Sequence, residues 1–166
     1  MKRLSFLRLC GGLFLLLFAA SVSVQAQQNG IKTLPNVTVT STASVNQKVS
    51  NAFQASFQDA VSPTWYRLNK DYLVEFITGD MNNRVLFKKN GALIYQISYG
   101  HENNLPKEIR KLVKSNYVDY NIMQAINVKE DNRDIWVVNL EDDKKLIIAR
   151  VEDDGLEEVG NYNKSY

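Results

Sequence analysis

The feature that most constrains the fold is an order of segments that occurs twice along the chain. Across residues 45–60, apolar side chains recur every three or four positions, which predicts a helix packed on one side. Short β-prone runs follow. Asn90-Gly91 between two of them is a strong hairpin signal, because both central residues of a type I′ turn need positive φ. Helical spacing returns at residues 105–117, and strand-like runs again come after it.

A helix with one apolar stripe needs a second surface to cover that stripe, and a meander of strands supplies one. The pattern therefore predicts an α+β fold of two helix-plus-antiparallel-meander repeats, at about residues 45–100 and 105–159. The helices are expected to pack on one face of an antiparallel sheet. The predicted domain covers residues 45–160, and residues 161–166 form a C-terminal tail.

Local signals bound the two predicted helices. Ser44 is expected to cap the first helix, because its hydroxyl can accept a hydrogen bond from a free first-turn amide. Pro63 is expected to set its end, since the residue before a proline is pushed out of helical geometry. In the second helix, Asn104 stands at the cap position and Pro106 in the first turn.

The N-terminal segment reads as an export signal. Residues 1–26 begin with basic side chains, continue through the apolar run Leu13–Ala20 and close on Val24-Gln25-Ala26, which predicts cleavage after Ala26. A transmembrane anchor is the alternative, but a span needs about 20 mostly apolar residues and this run is shorter. Residues 27–44 are rich in Gln, Asn, Thr and Ser, which predicts a flexible linker. The mature chain is thus expected to be periplasmic or secreted, without a stable membrane span.

Composition excludes several classes of function. The only cysteine, Cys10, lies in the predicted signal, so the mature chain has no disulfide, thiolate metal site or cysteine nucleophile. The 20 basic and 18 acidic residues nearly balance, and part of the basic excess also lies in the signal. Nucleic-acid binding needs clustered Lys and Arg, so no nucleic-acid partner is expected.

The residues that carry catalysis are mostly missing. The single histidine, His101, lies in a polar loop, and no second histidine is available for a zinc site. The acidic runs Glu141-Asp142-Asp143 and Glu152-Asp153-Asp154 do not have the spacing of a calcium loop and read as hairpin turns. We therefore expect no enzyme activity, no metal and no cofactor, with a carboxylate-based hydrolase as an alternative.

Two ordered sets of residues carry a likeness to a known family. The first set is Phe53-x-x-x-Phe57-x-Asp59-Ala60, Pro63-x-Trp65 and Tyr72-x-Val74-x-Phe76, and the second is Phe87-x-x-Asn90-Gly91, Leu105-Pro106 and Asp154-Gly155. Together they resemble the PepSY-like, or β-lactamase-inhibitor-like, periplasmic proteins of Bacteroidetes. The resemblance covers roughly residues 46–156. It implies helices packed on an antiparallel sheet whose other face is open, and it implies no catalytic residue.

An open sheet face is the candidate functional surface. The predicted strands carry apolar residues on both sides, and two helices can cover only one side. The candidate partner-binding residues are Tyr66, Leu73, Ile77, Leu86 and Ile94. Apolar groups on such a face gain affinity through burial at about 25 cal/mol per Å², which predicts a non-catalytic exported protein that docks another protein or a peptide. A structural or self-associating envelope module is the alternative, and the linker or a second subunit could cover the face.

Overall fold

The computed structural model describes residues 39–41 and 44–165. The predicted signal peptide, its cleavage site after Ala26 and most of the predicted linker lie outside the described residues. Within the described part, no helix has the length and apolar character that crossing a bilayer requires.

The described chain is dominated by β-strands. In chain order the elements are β1 (Val39–Ser41), α1 (Gln47–Ser56), β2 (Val61–Leu68), β3 (Asp71–Thr78), β4 (Met81–Phe87), β5 (Leu93–Gly100), a 3₁₀ turn (Glu102–Asn104), α2 (Lys107–Asn116), β6 (Asn121–Glu130), β7 (Arg133–Glu141), β8 (Lys145–Glu152) and β9 (Gly155–Asn163). The strands form one nine-stranded sheet in the order of the sequence. Every neighbouring pair is antiparallel.

The predicted fold class, α+β built from two helix-plus-meander repeats, is wrong. Residues 39–41 and 44–165 form one continuous nine-stranded antiparallel sheet with two short α-helices, and about 56% of these described residues lie in strands and 19% in helices. The sheet does not break between the two proposed repeats, because β5 pairs with β6 from Tyr95 opposite Glu130 to Gly100 opposite Ala125. Each helix has only 10 residues, less than the apolar spacing suggests.

The bounds of α1 differ from the prediction. Asn46, rather than Ser44, is the N-cap, and its Oδ1 accepts a hydrogen bond of 2.8 Å from the backbone N–H of Lys48. The helix ends at Ser56 because Phe57 leaves helical geometry, with φ of −136°. Pro63 does not end the helix. It lies inside β2, where β1 pairs only from Tyr66 onward, so this stretch of β2 is a sheet edge and tolerates a residue without an N–H.

Each helix packs on the sheet through a separate apolar core. The first core joins Val49 and Phe53 of α1 to Tyr72, Val74, Phe76, Val85 and Phe87. The second joins Leu105 and Val113 to Ala125, Trp136, Val138, Leu140, Ile147, Ala149 and Val151. Across β4 to β7, Asn83, Ser98, Asn127 and Trp136 are successive partners, so both cores lie on one side of the sheet. We name this the helix side, and the opposite side the open face.

The β7–β8 hairpin contains a carboxylate that we expect to make stability depend on pH. Backbone N–H groups of Lys144 and Lys145 donate to the carboxylate of Asp142 at 2.7 and 2.5 Å, and they hold its pKa below the usual value. A carboxyl whose folded pKa is lowered stabilises the fold above its unfolded pKa of about 4. That contribution is lost as pH falls through the folded pKa.

Asp142→Asn is therefore expected to reduce the loss of stability between pH 6 and pH 3. The amide oxygen can still accept a hydrogen bond, but it does not titrate. The measurement is the urea midpoint of each protein at both pH values. Asp143→Asn, at an exposed neighbour, is the control and should keep the full loss. An equal pH-dependent loss in Asp142→Asn and the unchanged protein would contradict this assignment.

Candidate binding face of the sheet

A row of apolar cross-strand partners runs over the open face. Tyr66 of β2 lies opposite Leu73, Leu73 lies opposite Leu86, and Leu86 lies opposite Tyr95 of β5. Leu86 is the most covered of them, with 9% of its surface exposed, and the others are half-buried. Neighbouring side chains in a sheet bury one another in this way even where no helix covers them.

The row continues into a cluster at the centre of the face. Ile97 of β5, Val128 of β6 and Ile135 of β7 are successive cross-strand partners. Tyr99, Ile126 and Val137 are a second set of successive partners in the same three strands. Because Tyr95, Ile97 and Tyr99 alternate along β5, the row and the cluster are contiguous. We name the combined surface the apolar band: Tyr66, Leu73, Leu86, Tyr95, Ile97, Tyr99, Ile126, Val128, Ile135 and Val137.

Charged side chains border the apolar band as ion pairs. Arg84 contacts Glu75 at 2.8 Å, and Arg150 contacts Glu157 at 2.8 Å. Arg133 binds Glu152 through two hydrogen bonds of 2.6 and 2.8 Å, which lower the pKa of that carboxyl. The border therefore carries charge of both signs, already paired within the chain. A docking partner does not have to supply a compensating charge for any of these pairs.

The apolar band also shifts the pKa of one of its own tyrosines. Burial raises the pKa of the Tyr95 hydroxyl, and the nearby Tyr99 adds to this effect, while Arg84 opposes it. The guanidinium of Arg84 also lies 5.7 Å from the centre of the Tyr99 ring. Tyr95 is thus held in its neutral form, as a hydrogen-bond donor within an apolar surface.

A cleft of about 460 Å³ opens where β2, β3, β4 and β5 meet the border of the band. Its walls include Thr64, Glu75, Arg84 and Tyr99, and Ile77 is exposed beside them at 42%. The cleft follows from an irregular stretch of β2, where the register shifts between Val61 and Thr64. It combines polar groups with an apolar rim.

The structure brings together four of the five residues predicted to bind a partner. Tyr66, Leu73 and Leu86 are neighbours in the apolar row, and Ile77 lies on the same face beside the cleft. Ile94 lies apart from them. It precedes Tyr95 at the irregular β4–β5 pairing, and strand alternation places it on the helix side.

Sequence reasoning missed the central part of the band. Alternation along β5 places Tyr95, Ile97 and Tyr99 on one side, but no sequence signal shows that this side is the open one. Polar Gln96 and Ser98 alternate with them and face the helices, the reverse of the usual arrangement. The signal that could have found the cluster is period-two spacing of large apolar residues in two successive strands, β5 and β6.

The polar candidates for catalysis do not form a site. His101 is exposed, and its backbone N–H donates to Asn104 Oδ1 at 2.7 Å. The two acidic runs fall at the ends and turns of the β7–β8 and β8–β9 hairpins. Among residues 39–41 and 44–165, no group of three or more His, Cys, Asp or Glu could hold a metal ion.

Solved structures with the same fold are known. A BLIP-like protein from Bacteroides fragilis matches with a TM-score of 0.57 and 16% identity, over 74% of this chain and 88% of that one. A DUF2874 family protein from Bacteroides ovatus matches with a TM-score of 0.55 and 14% identity, over 74% and 89%. A Bacteroides eggerthii protein provisionally described as periplasmic matches with a TM-score of 0.53 and 13% identity, over 72% and 89%.

These likenesses show the fold that the chain shares with BLIP-like and DUF2874 proteins. None of the three descriptions uses the PepSY-like label of the resemblance drawn from the sequence. No protein-family model matches the chain. No curated protein matches it either.

Proposed function

We propose that this protein is exported to the periplasm or the medium and acts without catalysis, by docking a protein or peptide on the open face. The observation that carries the proposal is the apolar band, which crosses β2 to β7 on the side that neither helix covers. The signal-like N-terminus and the fold shared with BLIP-like and provisionally periplasmic proteins support it.

Docking on the open face would gain its free energy from apolar burial. Burying apolar surface contributes about 25 cal/mol per Å², and a stable protein interface takes about 800 Å² from each partner. The band supplies an apolar centre, and its paired ions supply a polar rim, which is the usual plan of such an interface. Tyr66, Leu73, Ile77 and Leu86 would contact the partner at one end, and the β5–β7 cluster would contact it at the centre.

Leu73→Asp and Ile77→Asp are each expected to lower partner recovery by about tenfold or more, because each places a charge in the docking surface. The measurement is cross-linking in the native host followed by recovery of the protein and its bound partners. Val118→Asp is the matched control. It changes an apolar side chain that is 78% exposed, in the turn after α2 and outside the band, so it should keep full recovery.

The folded state of each variant is checked by circular dichroism before recovery is compared. Equal partner recovery from all three variants would rule out docking through this face. Size-exclusion chromatography of the purified protein separates the alternative, a self-associating envelope module. If the protein is a dimer and Leu73→Asp or Ile77→Asp dissociates it, the molecule that docks on the open face is a second copy of this chain rather than a different protein.

A further inference from the structure

The helix side carries a second cavity, between the two apolar cores. Its volume is about 290 Å³, and it is lined by residues of β3 to β7 together with Phe57 and Asn104. The first core lies on β3 and β4 and the second on β6 to β8, so β5 between them has no share in either core. We name this cavity the polar cleft.

The floor of the polar cleft is made of buried polar side chains. Asn83, Ser98 and Asn127 are 5%, 3% and 5% exposed, and they are successive cross-strand partners. Ser98 Oγ donates to Asn83 Oδ1 at 2.6 Å, and Gln96 Nε2 donates to Ser98 Oγ at 3.0 Å. Burying polar groups beside two apolar cores costs free energy even when they are hydrogen-bonded. Apolar residues at these positions would have joined the cores into one.

Two polar atoms in the cleft are left for a ligand, the side-chain oxygens of Asn127 and Gln96. Asn127 uses its amide N–H groups to donate to Asp134 and to the Ile135 carbonyl, and Gln96 also acts as a donor. The amide oxygens of Asn127 and Gln96 therefore stay available as acceptors. A ligand that fits this set donates hydrogen bonds.

The charge and the shape of the polar cleft further restrict the class of ligand that fits it. Lys129 is the only charged residue in the lining, and it is paired with Asp134 at 3.5 Å, so the cleft does not select for either sign. Trp136 and Phe57 add flat apolar surface to the walls. At about 30 Å³ per water molecule, the volume holds about ten water-sized groups, which is the size of one sugar ring.

We infer that the polar cleft binds a neutral polyhydroxyl ligand of the size of a hexose unit. The hydroxyl groups of such a ligand donate to the Asn127 and Gln96 oxygens. Its C–H face lies against the indole of Trp136. This site is on the helix side, so it does not depend on docking at the open face.

The test uses tryptophan fluorescence, because the chain has only two tryptophans. Trp65→Phe leaves Trp136, in the wall of the cleft, as the sole reporter. The probes are methyl glucoside, methyl galactoside, methyl mannoside and maltotriose. We expect a saturable change with at least one probe at millimolar concentration. A stronger response to maltotriose than to methyl glucoside would identify the natural ligand as the end of an oligosaccharide. An equal response would identify it as a single sugar unit.

Gln96→Leu supplies the sharper readout. It removes one of the two available acceptor oxygens, so it should weaken sugar binding about fivefold because one hydrogen bond is lost. Thr64→Val is the control, at an exposed threonine of β2 on the open face, and should weaken sugar binding little. Ile77→Asp should also bind the sugar normally, which separates this proposal from docking.

Two results would overturn the inference. One is the absence of any saturable change with all four probes in folded protein, both in Trp136 emission and in the side-chain amide NMR signals of Asn127 and Gln96. The NMR signals are recorded in the protein with both tryptophans, so that any loss of binding caused by the Trp65→Phe substitution itself is not mistaken for an absence of binding. The other is sugar binding of equal strength in Gln96→Leu and in the unchanged protein, which would place the sugar elsewhere.

Discussion

Replacing Phe53 with alanine is expected to lower the free energy of unfolding by about 3–5 kcal/mol. Phe53 is 7% exposed, and its ring lies 5.2 Å from that of Trp65 and 5.1 Å from that of Phe76, both in edge-to-face contact. A third ring, Phe57, lies 5.6 Å away. Removal of the ring would therefore leave a cavity whose walls are held by the sheet and cannot close in.

The effect should be large because α1 has few other attachments. Its buried residues are Val49 and Phe53 alone. The measurement is urea denaturation, with the unfolding free energy taken by linear extrapolation. Gln54→Ala, at the next and exposed position of the same helix, is the control and should stay within about 0.5 kcal/mol of the unchanged protein. A Phe53→Ala protein as stable as this control would mean that the first core does not depend on α1.

Some signals that act over a few residues predict the structure correctly, whereas the capping signal of Ser44 and the stop signal of Pro63 do not. Alternation predicts that Tyr72, Val74 and Phe76 share one side of β3, and all three are buried in the first core. The Asn90-Gly91 pair predicts a type I′ turn between two strands. The chain does turn there between β4 and β5, but only Gly91 of the pair has a positive φ, so the turn is not of type I′. Such signals depend on backbone preference and on neighbours in sequence, so one segment contains all the information they need.

The fold class failed because it depends on contacts that are distant in sequence. Apolar spacing continues past Ser56 to Phe57 and Ala60, which pack on the first core without being helical, so the helix looked longer than it is. At the other end, the apolar residues Leu156 and Val159 predict only a short strand between them, whereas β9 runs from Gly155 to Asn163. An edge strand buries little on either side and so lacks clear alternation.

The candidate site shows the same limit. The apolar residues of the open face can be recognised one by one from the sequence. Which side of the sheet stays uncovered, however, depends on how the strands pair. The β5–β6 pairing decides it, because Ser98 opposite Asn127 turns polar groups toward the helices and Ile97 opposite Val128 turns apolar groups away. A sequence with polar residues on its helix side contradicts the rule that the covered side is apolar. Such exceptions are expected where a protein binds something.

Gly91→Ala is expected to destabilise the protein by about 3 kcal/mol, from two separate causes. Gly91 has φ of +90°, a region that costs a residue with a side chain about 1–2 kcal/mol. An added Cβ would also lie 2.8 Å from the backbone oxygen of Lys48 in α1, so either the hairpin or the helix must move. The Gly91 N–H donates to the Lys88 carbonyl at 2.9 Å, which limits how far the turn can shift.

Gly79→Ala separates the two causes. Gly79 also has a positive φ, of +60°, but an added Cβ there would meet no atom within 4 Å. Its cost should be only the backbone term, about 1 kcal/mol. Urea denaturation of both variants gives the difference, which measures the contact between the β4–β5 turn and α1. Equal costs at the two glycines would show that α1 does not press on this turn, and the first core would then hold α1 by its apolar side chains alone.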